Sequence, residues 1–113
     1  MSAEYDFVVD RGATFIKTII WKDNGTPIDI GNYGAVFTIK PSPSSEEVIL
    51  QIDSDSTADD YIQIEGMDGK MILNIDSTST SELSFDLAYY DLKLTDENDI
   101  VTKLLRGRVT LNE

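Results

Sequence analysis

The stretch Phe85 to Asn112, FDLAYYDLKLTDENDIVTKLLRGRVTLN, constrains the fold more than any other part of the chain. Tyr90, Leu92 and Leu94 alternate with Asp91, Lys93 and Thr95. A period of two belongs to a strand with one buried and one wet face. Asp96-Glu97-Asn98-Asp99 is a polar turn cluster. Ile100 to Leu111 returns as a second arm, again rich in β-branched and leucine residues. Gly107 in its middle signals a bulge or a close backbone approach. The chain therefore ends in one long β-hairpin, and the remaining segments read as shorter strands gathered around it.

Tyr5 to Val9 is expected as a short first strand, punctuated by Asp10-Arg11-Gly12. Thr14 to Lys22 follows, with Phe15, Ile19 and Trp21 on one side and Ile16 and Ile20 on the other. Large apolar groups on both sides mean either a central strand covered on both faces or a strand whose outer face meets a partner. Asn24-Gly25 fits a type I′ hairpin turn. Pro27 to Ile30 is a brief return arm. In Ala35 to Lys40, Ala35, Phe37 and Ile39 should face in. The loop 41–47, PSPSSEE, reads as an extended crossing between two sheets. Val48, Leu50 and Ile52 form the next inward row, then Ile62 and Ile64, then Met71, Leu73 and Ile75. Ser79 with Glu82 has capping-box spacing, which predicts one helical turn near Ser79 to Leu83.

These signals amount to seven to eight short, mostly antiparallel strands with turns about every ten residues. That spacing predicts an all-β, immunoglobulin-like β-sandwich in a single domain, residues 1–113, with a small closed barrel as the alternative. At 113 residues the chain is long enough to bury a core without staples.

Chemistry is constrained by what the chain lacks. It has no cysteine and no histidine, so it carries neither a thiolate nor an imidazole for nucleophilic, acid–base or metal-binding work. Absent cysteine also fits a reducing compartment. With 21 acidic against 9 basic residues, the net charge of −12 disfavours nucleic acid and anionic membranes as partners. It favours solubility, or an acidic patch for a basic partner or a cation. The start lacks the features of a signal peptide, and no apolar run approaches a bilayer span, so synthesis in the cytosol and a soluble product are expected.

The best local constellation for a ligand is Asp53, Asp55, Thr57 and Asp59, whose alternating oxygens resemble the start of a calcium loop. Ala58 stands where such a loop needs glycine, and Ile64 where it needs a bidentate glutamate. A solvated acidic turn is the expectation, and no cofactor is expected. Trp21, Tyr33, Tyr61, Tyr89 and Tyr90 are the aromatics available for a glycan platform. A protein-binding patch would draw on Ile16, Ile20, Tyr89 and Leu104. Catalysis is not expected, because a domain this small rarely supplies both a cleft and a floor.

The order of hairpin motifs carries a family resemblance. It runs through Gly12-Ala13-Thr14-Phe15, Trp21-Lys22-Asp23-Asn24-Gly25-Thr26-Pro27-Ile28-Asp29-Ile30 and Tyr33 to Lys40. It continues through Ile62 to Ile75, Tyr90-Asp91-Leu92-Lys93-Leu94-Thr95-Asp96 and Val101 to Leu111. In order and spacing this resembles the small β-sandwich proteins and domains of tailed-bacteriophage virions, such as the N-terminal domain of baseplate upper proteins and related fibre-attachment domains. The resemblance spans nearly the whole chain. It implies a structural part of a tail, baseplate, neck or fibre attachment, acting by protein–protein contact and without catalytic residues. It implies other virion proteins as partners, with a ring of identical copies as one form of assembly. A head decoration protein, or a glycan- or cation-binding module, is the alternative. In that family the domain heads longer fibre-bearing chains, so a chain ending at Glu113 is expected to be a free-standing subunit.

Overall fold

The computed structural model describes residues 3–113. Eleven strands are formed: β1 (Ala3–Glu4), β2 (Phe7–Asp10), β3 (Phe15–Ile20), β4 (Lys22–Asp23), β5 (Thr26–Pro27), β6 (Gly34–Lys40), β7 (Leu50–Asp53), β8 (Tyr61–Glu65), β9 (Lys70–Ile75), β10 (Leu87–Thr95) and β11 (Val101–Asn112). Eight of them are four residues or longer, matching the expected number. A 3-10 turn (Gly66–Asp68) joins β8 to β9, and one short helix, α1 (Ser77–Ser81), precedes β10.

The large sheet runs β1–β11–β10–β6–β7, with β2 also pairing β11. The small sheet runs β3–β9–β8. Alternation along each strand turns one row of apolar groups toward the other layer. In the large sheet, β10 aligns Tyr90 with Ile39, Leu92 with Phe37 and Leu94 with Ala35 of β6, and all six are buried. The small sheet answers with Met71, Leu73, Ile75 and Ile62. These rows form one continuous apolar cluster with Phe7, Val9 and Val109. This is the all-β, sandwich-like arrangement that the strand spacing predicts.

The terminal hairpin is the scaffold. Asp96 closes its turn: Oδ1 accepts from Asn98 N (2.8 Å) and Ile100 N (3.0 Å). The β10–β11 register slips between Leu92 and Lys93, leaving Leu104 as the extra residue of a bulge. Gly107 is therefore not the bulge. It is the site of close approach, the other reading of that glycine. The N-terminal segment lies parallel along β11, β1 against Leu105–Arg106 and β2 against Val109–Asn112. Between them Tyr5 and Asp6 leave the ladder and pass over Gly107. A Cβ on Gly107 would stand 2.1 Å from the Tyr5 carbonyl oxygen. The missing side chain at Gly107 also clears a path for its cross-strand partner: the Tyr90 hydroxyl reaches past the glycine and donates to Tyr5 O. Tyr90 itself stacks on Phe7, centroids 4.6 Å apart. The same segment is tied down by Tyr5 N donating to Arg106 O (3.0 Å) and Arg108 N donating to Asp6 Oδ1 (3.0 Å).

The Asn24-Gly25 turn takes the expected left-handed pair of φ angles, 52° and 82°. Several other expectations are corrected. β3 is not a central strand covered on both faces. It ends the small sheet, and its outer residues Ile16 and Ile20 are exposed. A three-stranded layer has no further strand or helix to lay over that side. The loop 41–47 does not cross between sheets, because β6 and β7 are antiparallel neighbours in one sheet. The crossing is made by 54–60, between β7 and β8. Val48 lies before the ladder and is exposed rather than inward. The helix begins three residues earlier than a Ser79 cap implies. Asp76, not Ser79, caps it through Thr78 N (3.4 Å), and Glu82 closes its C-terminal end. Asp76 wins because its own N–H is already fixed by Asp60 Oδ1 (2.7 Å), which sets the direction of entry.

Candidate functional site

The acidic loop uses its side-chain oxygens partly to close its own turns and partly to hold the start of α1. Asp53 Oδ1 accepts from Asp55 N (3.0 Å), and Ser56 Oγ accepts from Ala58 N (3.2 Å) while donating to Asp60 O (2.8 Å). Asp60 is the structural acid of the loop, holding Asp76 N with Oδ1 and Ser79 Oγ with Oδ2. Among the described residues no three acidic side chains converge on a point that could hold a metal ion. Of Asp53, Asp55, Thr57 and Asp59, Asp53 closes a local turn onto Asp55. The aromatics do not build a flat platform either. Trp21 meets Tyr33 edge-on, with ring planes at 90° and centroids 5.9 Å apart. Tyr90 is buried in the core.

The four residues singled out for protein contact separate onto different surfaces. Ile16 and Ile20 stand on the outer face of β3, 62% and 45% exposed. Register places Ile16 beside Asn74 and Tyr61, Thr18 beside Ile72 and Gln63, and Ile20 beside Lys70 and Glu65. The result is a mixed outer face, with Ile16 and Ile20 on the edge strand, Ile72 in the middle between Asn74 and Lys70, and Tyr61, Gln63 and Glu65 on the far strand. The inner face of the same edge strand carries Lys17, whose Nζ donates to Tyr5 Oη (3.0 Å) and lies 4.9 Å from that ring's centroid. An inward-pointing charge on an edge strand discourages another strand from adding to it.

Tyr89 belongs to the opposite layer. It lies half-buried on the outer face of the large sheet, between Arg108 of β11 and Lys40 of β6. Leu104 is half-buried at the bulge and packs on the core cluster, so it joins neither surface. Sequence reasoning missed the basic partners of Tyr89. The i, i+2 spacing of Arg106 and Arg108 shows that these two share a face. Their alignment with Tyr89, Lys40 and Asp91 exists only in the cross-strand register. A cleft of about 360 Å³ lies on this face, lined in part by Lys40, Tyr89, Asp91, Lys103, Arg106 and Arg108.

One titration is displaced. Burial pushes the Tyr90 hydroxyl well above the ordinary tyrosine range, and the nearby Asp6 carboxylate and Tyr5 add to the effect. Its proton is the one donated to Tyr5 O, so the displaced group serves the N-terminal strap.

No protein-family model matches this chain, and no curated protein sequence matches it.

Proposed function

We propose that this protein is a structural subunit that works by protein–protein contact, of the kind built into the tail, baseplate, neck or fibre attachment of a tailed-bacteriophage particle. The observation that carries the reading is the bare outer face of β3. A small sheet that exposes two isoleucines on one strand leaves apolar area that solubility alone would not select. The ordered hairpin motifs that resemble virion sandwich domains support the same reading. Full burial of an isoleucine contributes roughly 1.5–3 kcal/mol, so this edge alone makes a weak joint. Weak joints suffice where a particle repeats them around an axis, because each further contact forms at high effective concentration. Partners on this view are other virion proteins and further copies of the chain, and the protein resides in the particle after synthesis in the host cytoplasm.

The test is mass spectrometry of purified particles from cells encoding the chain, with wild type compared with Ile16→Lys/Ile20→Lys. Both positions are on an open face, so the double variant is expected to fold. Wild type should be found in particles and the variant in the soluble fraction. Wild type absent from particles, or the variant incorporated as efficiently, would overturn the reading.

A further inference from the structure

We propose that the outer face of the large sheet is a second docking surface, one that takes a carboxylate-bearing polypeptide segment of another protein. The inference stands on this face alone and does not need the β3 face to bind anything. Three cross-strand rows define it: Arg108–Tyr89–Lys40, Arg106–Asp91–Thr38 and Lys103–Lys93–Val36. Five of the nine cationic side chains of a chain with net charge −12 are thus gathered on one side of one sheet.

Most of that charge is unanswered. Among the described residues the ion pairs are Arg11–Glu113, Lys70–Glu65 and Arg106–Glu4. Lys40, Lys93, Lys103 and Arg108 have none, although the chain holds 21 carboxylates. Of the other acids beside this face, Asp6 Oδ1 accepts from the backbone N–H of Arg108, and Asp53, which continues the third row beyond Val36, accepts from Asp55 N with its Oδ1. Lys93 and Lys103 stand directly opposite each other across the β10–β11 ladder. Like charges in that position destabilise a sheet. A fold that carries such a pair has not been arranged for its own stability at this spot, and an external anion would relieve the repulsion.

The pattern also selects among anions. Asp91 stands at the centre, with Arg106 beside it, and Glu4 holds the Arg106 guanidinium at 3.0 Å. A polymer with one negative charge per repeat would place an anion against Asp91. A polypeptide can place carboxylates on Arg108, Lys40 and Lys103 and put a lysine or an amide donor over Asp91. Arg108 offers a planar fork to a carboxylate, and the Tyr89 ring between two cations gives the segment an apolar footing. Face-to-face pairing of two copies would bring five cations against five, so a symmetric self-contact is disfavoured.

The experiment is a titration of the isotope-labelled protein, followed by backbone amide NMR, with a blocked decapeptide carrying two Asp-Glu pairs on either side of a single lysine. Heparin fragments and single-stranded oligonucleotides are the competing probes. The expected result is shift changes confined to residues 38–40, 89–93 and 103–108. Arg108→Glu/Lys40→Glu should weaken binding at least about tenfold without lowering the melting temperature. Raising salt from 50 to 300 mM should weaken it further, as expected for steering by exposed charge. Absence of shifts at millimolar peptide, shifts centred on Lys17, Lys22 or Lys70, or an unchanged affinity in the double variant would overturn the proposal. Tighter binding of heparin or oligonucleotide than of peptide at equal salt would also overturn it, and would make the face a polyanion site.

Discussion

Replacing Gly107 with alanine tests the strap that joins the two ends of the chain. Gly107 does not have a positive φ, so alanine suits its backbone. In an ordinary strand interior that change stabilises by roughly 0.5–1 kcal/mol. Here the sign should reverse. The new Cβ would sit 2.1 Å from Tyr5 O, 2.8 Å from Tyr5 C and 3.0 Å from Asp6 Oδ1. Relief requires Tyr5 and Asp6 to retreat by about an ångström, which breaks three hydrogen bonds: Tyr90 Oη to Tyr5 O, Tyr5 N to Arg106 O and Arg108 N to Asp6 Oδ1. At about 1 kcal/mol each, with roughly 1 more for a buried tyrosine hydroxyl left without an acceptor, the loss is about 4 kcal/mol. Subtracting the backbone gain leaves a net destabilisation of about 3 kcal/mol. Urea denaturation followed by circular dichroism measures it. Tyr90→Phe alone should cost about 1 kcal/mol, and the double variant should fall short of the sum, because both changes remove the same hydroxyl bond. A Gly107→Ala protein within 1 kcal/mol of wild type, or more stable, would refute the reasoning.

Three further outcomes are expected. The Tyr90 proton is held more tightly in the folded protein than in the unfolded chain, where tyrosine titrates near pH ~10. Above that pH the unfolded state binds fewer protons than the folded one, so the hydroxyl's contribution is intact below pH ~10 and is lost as pH rises past it. Urea midpoints at pH 8 and 11 should therefore fall more for wild type than for Tyr90→Phe, and equal falls would contradict this. Thr80 is fully buried and joins α1 to the β2–β3 turn, donating to Ala13 O (2.8 Å) and accepting from Gly12 N (3.1 Å). Thr80→Val should cost about 2 kcal/mol in the same urea assay. Trp21 is half-buried against Tyr33, so Trp21→Ala should cost about 2 kcal/mol, below the ~3–5 of a fully buried ring.

The strands were legible because their faces differ sharply in polarity. Ala35, Phe37 and Ile39, then Tyr90, Leu92 and Leu94, alternate with polar groups and are buried as read. The Asn24-Gly25 turn was legible because few residue pairs tolerate two left-handed φ angles in succession. Sheet membership was not legible. Nothing local in 41–47 or 54–60 states whether the next strand pairs with its neighbour or passes to the other layer. The helix start was misplaced because two capping signals overlap, and Asp60, sixteen residues before Asp76, decides between them. At the candidate sites the apolar pair Ile16 and Ile20 could be named from alternation alone. The cationic rows could not, since Lys40, Tyr89 and Arg108 become neighbours only through register.

The central claim is that the uncovered face of β3 is closed by another protein in the assembled particle. The chain has no cysteine, so Ile16→Cys supplies a single thiol on that face, and Met67→Cys supplies one on the exposed 3-10 turn as a control. Maleimide labelling rates compared between free protein and purified particles measure the cover directly. The account predicts at least a tenfold slower reaction at position 16 in the particle; equal rates at position 16 in the two states would contradict it.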